Sequence, residues 1–206
     1  MLDQLRLAIE SHVSRFLCHE IGNEINTRSV TVRHVSSPPI SGQVVPDVSG
    51  VREFYATFED LTLYFDEDSG DAAYAIVAPA GWPGLGEDFA DTFAHLSDEE
   101  LSDWLPVWCK DCLVVGTIPA SGNYLLVATS GREAGKVFCF DHDGFEFIEI
   151  GSDLPNFVMR AMEPDSKTLT RMASHLRFSS CKPGEPQWWI VALNDNRGNS
   201  IHTQTE

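Results

Sequence analysis

The residues best equipped for chemistry in this chain are a cysteine pair, a histidine between two aspartates, and a dense run of acids. Cys109-Lys110-Asp111-Cys112 has the spacing that can hold zinc or cycle between dithiol and disulfide. A zinc ribbon needs a second matching pair, whereas Cys139 and Cys181 each stand alone. A redox CxxC opens a helix after a strand, and this one precedes a strand-like run. Two partly buried thiols are therefore expected. Asp141-His142-Asp143 contains the HD dipeptide of metal phosphohydrolases. Those enzymes add His and Asp ligands from helices, while this dipeptide falls between two strand-like segments and reads as a hairpin turn. A hydrolase built on His142 with Asp141 and Asp143 is the enzymatic reading that the sequence allows. Asp66-Glu67-Asp68-Ser69-Gly70-Asp71 could attract calcium, but it lacks the EF-hand spacing and the closing Glu. A polar turn between strands is the better reading. There is no Gly-rich phosphate loop and no G-x-S-x-G elbow, and the seven histidines are scattered. No catalytic set emerges, so the expectation is a binding protein with neither cofactor nor metal.

Charge is the strongest compositional signal. Residues 53–111 hold fifteen Asp and Glu against one base, Lys110, in a chain of net charge −17. Elsewhere sixteen acids face thirteen bases. Such a balance repels phosphates and argues against direct binding of nucleic acid. It attracts a basic protein surface and accelerates encounter with it. The candidate contact residues are Asp66, Glu67, Asp68, Glu87, Asp88, Asp91, Asp98 and Glu99. Trp82, in a Pro/Gly-rich stretch, is the candidate apolar anchor. The plainer alternative is that these acids serve solubility alone, with Glu99 and Glu100 also favouring a helix's first turn.

These residues need a scaffold, and 206 residues suffice for one domain with its own core. Hydrophobic residues make up 43% of the chain, with twelve Phe and five Trp as large packing units. The N-terminal MLDQLRLAIESHV lacks the basic head and apolar run of a signal peptide. No stretch reaches the length of a membrane span, so no membrane partner is expected. Five scattered cysteines suggest reduced thiols and a cytoplasmic protein.

Apolar spacing predicts a first helix over Leu2–His19, ending near Gly22, then a short strand at Val30–Arg33. Ser36–Pro46 reads as a loop. A second helix is expected over Val48–Glu59, with Val51, Phe54, Tyr55 and Phe58 as its apolar stripe. Strands follow at Leu61–Phe65 and Ala73–Ala78. Pro79–Gly86 reads as a loop, then a short helix carries Phe89, Phe93 and Leu96. Ser97-Asp98-Glu99-Glu100 is a capping box opening another helix that ends near Pro106. The pattern then turns to β. Leu113–Ile118 reads as a strand buried on both faces, Tyr124–Ala128 as another, and Val137–Phe140 with Phe145–Ile150 as a hairpin in which Gly144 supplies positive φ. Helices are expected from Ser152 or Asp153 to Met162 and after Pro164, and a last strand at Gln187–Leu193. The polar residues from Asn194 onward read as a loose tail. This order predicts an α+β fold, a largely antiparallel mixed sheet wrapped by helices.

The stretch from Trp104 to Val158 resembles the SUKH superfamily, which includes yeast cell-wall assembly regulators and bacterial immunity proteins. The resemblance lies in Val114-Val115-Gly116-Thr117-Ile118, in Ser121-Gly122-Asn123-Tyr124-Leu125-Leu126-Val127, and in Gly135-Lys136-Val137-Phe138-Cys139-Phe140-Asp141-His142-Asp143. With Phe54-Tyr55 and Leu61-Thr62-Leu63 it covers residues 48–162. The chain has Asn123 where family members commonly carry an acid. The chain is expected to be a single domain, 1–206, with the family-like core at 48–162; the resemblance does not account for the N-terminal helix and strand at 1–45, the C-terminal helix-strand extension at 165–193 or the tail at 194–206. The resemblance implies no enzymatic activity, and neutralisation by occlusion of a cognate toxin with a basic, nucleic-acid-targeting surface. The alternative is a non-enzymatic regulatory scaffold.

Overall fold

The computed structural model describes residues 2–176, 178 and 184–204; Cys181 and the Asp98 side chain lie outside them. Ten strands form one sheet that does not close into a barrel, and six α-helices flank it. The α+β expectation holds, and every neighbouring pair in the sheet is antiparallel.

The expected helix over Leu2–His19 is divided. Helix α1 spans Leu2–Ser11, and strand β1 spans Val13–Glu20. Val13, Phe16 and Leu17 fit a helical period. The side chains that are buried, however, are His12, Ser14, Phe16 and Cys18, which alternate as a strand requires. β2, Asn23–Ser37, is much longer than the expected strand, and its Val30, Val32 and His34 face the same core. Helix α2, Val51–Tyr55, is shorter than expected, yet Val51, Phe54, Tyr55 and Phe58 are all buried. β3 (Asp60–Phe65) and β4 (Tyr74–Ile76) follow.

Helix α3, Trp82–Asp91, occupies sequence that Pro83, Gly84 and Gly86 make look like a loop. Proline is tolerated in a helix's first turn, where its missing N–H has no intrahelical partner to lose. Helix α4, Asp98–Trp104, opens on the expected capping box, with Ser97 Oγ accepting the Glu100 amide at 3.4 Å and Glu100 accepting the Ser97 amide at 2.8 Å. Strands β5 (Cys112–Ile118), β6 (Asn123–Ala128), β7 (Val137–Asp141) and β8 (Glu146–Gly151) form a meander. In the β7–β8 turn the positive φ belongs to Phe145, at 51°, and not to Gly144. The ring of Phe145 packs on Phe93, Trp104 and Phe140, and this packing holds it there.

Helices α5 (Leu154–Met162) and α6 (Ser166–His175) are capped by Asp153 and Asp165. They carry the chain from β8 at one edge back across the sheet. β9, Trp188–Asp195, then pairs with β1, and β10, Ser200–His202, forms the other edge. Residues 194–202 thus belong to a β9–β10 hairpin rather than to the expected loose tail. Its turn is closed by Asp195, whose carboxylate accepts the Arg197 and Asn199 amides at 2.9 and 2.8 Å.

The sheet separates two apolar layers. Helices α1, α2, α5 and α6 share the first with Phe16, Leu61, Leu63, Tyr64, Val115, Leu125 and Val127. Phe89 of α3, Phe93 and Cys109 form the second with Val114, Leu126, Ala128, Phe138 and Phe140. Alternate residues of β5–β7 therefore enter opposite layers, which explains their unbroken apolar runs. Among the described residues, no helix is long and apolar enough to cross a membrane.

Candidate functional site

The acidic segment builds the second layer. Its apolar positions, Leu85, Phe89, Phe93, Leu96, Leu101 and Leu105, turn toward β5–β7, and its acids remain outside. Residues 82–111 carry eight acids against Lys110. Glu87, Asp88, Asp91, Glu99, Glu100 and Asp103 are exposed. Among the described residues none of them makes a salt bridge. The ion pairs of this protein, such as Lys136 with Glu133 and Glu149 at 2.6 and 2.9 Å, lie elsewhere. Glu100 is held below the usual carboxylate range by its hydrogen bonds to Ser97. The layer therefore presents charge that is not neutralised within the fold.

An apolar patch accompanies this charge, and it is not where the sequence placed it. Trp82 is half-buried at the start of α3, packed edge-on against Tyr55 at 5.0 Å. Its Nε1 donates to Tyr55 Oη at 3.3 Å, and Tyr55 Oη donates to the Val77 carbonyl at 2.8 Å. Trp82 thus clamps α2 and α3 together. The exposed aromatic is Trp104 at the end of α4, 60% exposed, with Val107 beside it in sequence at 87%. No signal in the sequence singles out Trp104 from Trp82 and Trp108 as the tryptophan left outside.

The remaining candidates belong to a different neighbourhood, the turn between β3 and β4. Asp66 is only 3% exposed. Its carboxylate accepts the Asp68 and Ser69 amides at 3.2 and 3.3 Å and the Ser69 hydroxyl at 2.7 Å. Glu67 pairs with Arg33. Asp68 is exposed and shares a shallow cavity with Arg28 and Trp188. The structure therefore brings Glu87, Asp88, Asp91 and Glu99 together on α3 and α4. It separates Asp66, Glu67 and Asp68 from them. The backbone of Asp98 opens α4.

The other chemical candidates resolve into structural roles. Cys109 is buried and Cys112 half-buried, both as free thiols. Cys112 acts as the acceptor for the Cys109 thiol, which pushes Cys109 up and draws Cys112 down. Asp141 accepts the Asp143 amide at 3.1 Å and so closes the hairpin turn, while the His142 amide donates to Asn123 Oδ1 at 2.8 Å. Asn123, 2% exposed, also lies 3.4 Å from His175 Nε2 and ties β6 to both the turn and α6. Among the described residues, no three His, Cys, Asp or Glu side chains converge as a metal site would require. Set against known protein families, curated proteins and solved structures, the chain matches none of them.

Proposed function

We propose that this chain is a cytoplasmic immunity-type protein that binds one cognate toxin and blocks it by occlusion, with the α3–α4 face as its contact surface. The observation that carries this reading is the layer of exposed, unpaired acids on α3 and α4 with Trp104 and Val107 beside them. Charge of one sign around an apolar anchor suits a partner with a basic cleft, such as an enzyme that acts on nucleic acid. The acids would stand in for the phosphates of its substrate. The resemblance of residues 48–162 to the SUKH superfamily supports the same reading. Glu87, Asp88, Asp91 and Glu99 are the contact acids in this proposal, and Trp104 takes the anchor role in place of Trp82. Steering by such a face gives association rates on the order of 10⁸ M⁻¹s⁻¹ at low salt.

The first test is co-purification with the product of the adjacent gene. The second is kinetic. Asp88→Lys with Asp91→Lys should slow association by about tenfold at low salt, with the difference shrinking at high salt. Trp104→Ala should raise the dissociation rate by about tenfold or more and leave association nearly unchanged. Wild-type kinetics in both variants would remove the α3–α4 face as the contact surface.

A further inference from the structure

On the opposite side of the sheet, α5 and α6 enclose a small cavity of about 160 Å³ against β4 and β8. Its lining includes Arg160, Lys167 and Arg171, three of the fourteen basic residues in a chain of net charge −17. Such a concentration is notable where bases are scarce. Two carboxylates also line the cavity; Glu149 has a cation partner, whereas Asp165 keeps its charge. Glu149 is paired with Lys136 at 2.9 Å. Asp165 caps α6, accepting the Thr168 amide at 2.7 Å, and this hydrogen bond holds it below the usual carboxylate range. Arg160 and Lys167 act at longer range on the Asp165 carboxylate and help to hold it down, but neither forms an ion pair with it. Arg160 makes one long contact, 3.4 Å, to the Ile150 carbonyl. Lys167 and Arg171 form no side-chain ion pair among the described residues.

Tyr74 adds a hydroxyl donor to the same lining. It lines the same cavity, it is 4% exposed, and its ring stands edge-on to Phe157 at 5.2 Å. Its hydroxyl makes no hydrogen bond among the described residues and is not one of the fully enclosed polar atoms left without a partner, so it opens onto the cavity. Burial holds that hydroxyl in its protonated form, with Arg171 opposing only in part, so it is available as a donor. Three cations, of which Arg160 and Lys167 are exposed, and one O–H donor thus line a space the size of a small oxyanion. Guanidinium groups suit such an anion because their planar donors match two of its oxygens at once. The first turn of α6 contributes its dipole but not its capped Thr168 amide.

We infer that the α5–α6 cavity binds a phosphate group, free or as the monoester of a small molecule, through Arg160, Lys167, Arg171 and the Tyr74 hydroxyl. The site lies on the layer opposite α3 and α4, so it stands or falls separately from the toxin-binding face. Bound phosphate would tie β4 to α5 and α6, joining the middle of the sheet to the helices that bring β9 back to β1.

Titration calorimetry of the full chain with inorganic phosphate and with glycerol 3-phosphate, at matched ionic strength in chloride, tests this. Saturable binding of either is expected, and the tighter of the two identifies free phosphate or an ester as the natural form. Arg171→Gln should weaken it at least tenfold, and Lys167→Gln and Tyr74→Phe each severalfold. Lys167 is exposed and Tyr74→Phe keeps the ring, so these two variants remain informative if Arg171→Gln fails to fold. Saturation by neither probe, or affinity unchanged in Lys167→Gln and Tyr74→Phe together, would overturn the site.

Discussion

His34 is 7% exposed and lies between Tyr64 and His12, its ring 4.8 Å from the first and 4.5 Å from the second. Its Nδ1 accepts the Tyr64 amide at 3.1 Å, so the proton of the neutral ring sits on Nε2. The Nε2 atoms of both histidines are buried without a partner. Tyr64 needs this support because its φ is 55°, which turns its amide out of the ladder. Its hydroxyl in turn donates to the Ala161 carbonyl at 2.9 Å at the end of α5. Burial, and then the neighbouring His12, depress His34 from 6.5 to about 3; burial also lowers His12, against Asp195 and Glu163. Below pH 6.5 the unfolded chain takes up protons that the folded chain refuses. Stability is therefore fully present above 6.5 and is lost as the pH falls toward 3. The slope for His34 alone is about 1.4 kcal/mol per pH unit. Between pH 6.5 and 5 most carboxylates are still ionised, so urea midpoints in that window isolate the histidines. His34→Gln keeps an acceptor for Tyr64 and removes the proton uptake. It should lower stability at pH 7.5 and flatten the slope; a slope equal to wild type would place the acid sensitivity elsewhere.

At the scale of elements, the weakest seam is between β4 and β5. β4 has three residues, and it meets β5 through Ala75 with Thr117 and Ile76 with Gly116, with the Val77 amide donating to the Val115 carbonyl at 2.9 Å just beyond. A Cβ on Gly116 would collide with the Ala75 carbonyl oxygen and lie 3.0 Å from Ile76 Cα, both backbone atoms that cannot swing aside. Gly116→Ala should therefore cost about 1–3 kcal/mol or more, read as a lower urea midpoint with the thermal transition shifted down. A midpoint within error of wild type would mean that this seam can open without cost. Gly116 lies in one of the segments that were legible from sequence, because β5–β7 are buried on both faces and their runs leave no ambiguity of period. The β1–β2 half was less legible. There the inward positions mix Phe16, Cys18, Val30 and Val32 with the polar His12, Ser14 and His34, which breaks the apolar alternation. The candidate site was only partly legible. Acid placement on α3 and α4 followed from composition, but which tryptophan stays outside depends on Tyr55 reaching Trp82 across 27 positions of sequence.

For the whole molecule, the distribution of charge sets stability against capture. Glu87 and Asp91 are four apart on α3, as are Glu99 and Asp103 on α4, and Asp88 is three from Asp91. Like charges at these spacings destabilise a helix by a few tenths of a kcal/mol per pair. No cation among the described residues bridges these acids, so the repulsion is relieved only by salt. Raising ionic strength should therefore raise the thermal midpoint of the free protein. Asp91→Asn with Asp103→Asn should raise it at low salt by relieving all three pairs, both acids lying in a last turn where the dipole disfavours them, and should reduce its further rise with added salt. If the α3–α4 face captures a basic partner, the same variant should associate more slowly, so stability and on-rate would move in opposite directions. A face that serves solubility alone predicts the gain in stability without the loss in rate. Thermal melts across a salt series and stopped-flow association with the adjacent gene's product, on the same two proteins, separate these outcomes. Stability gained with the association rate unchanged would leave the acids as a solubility device.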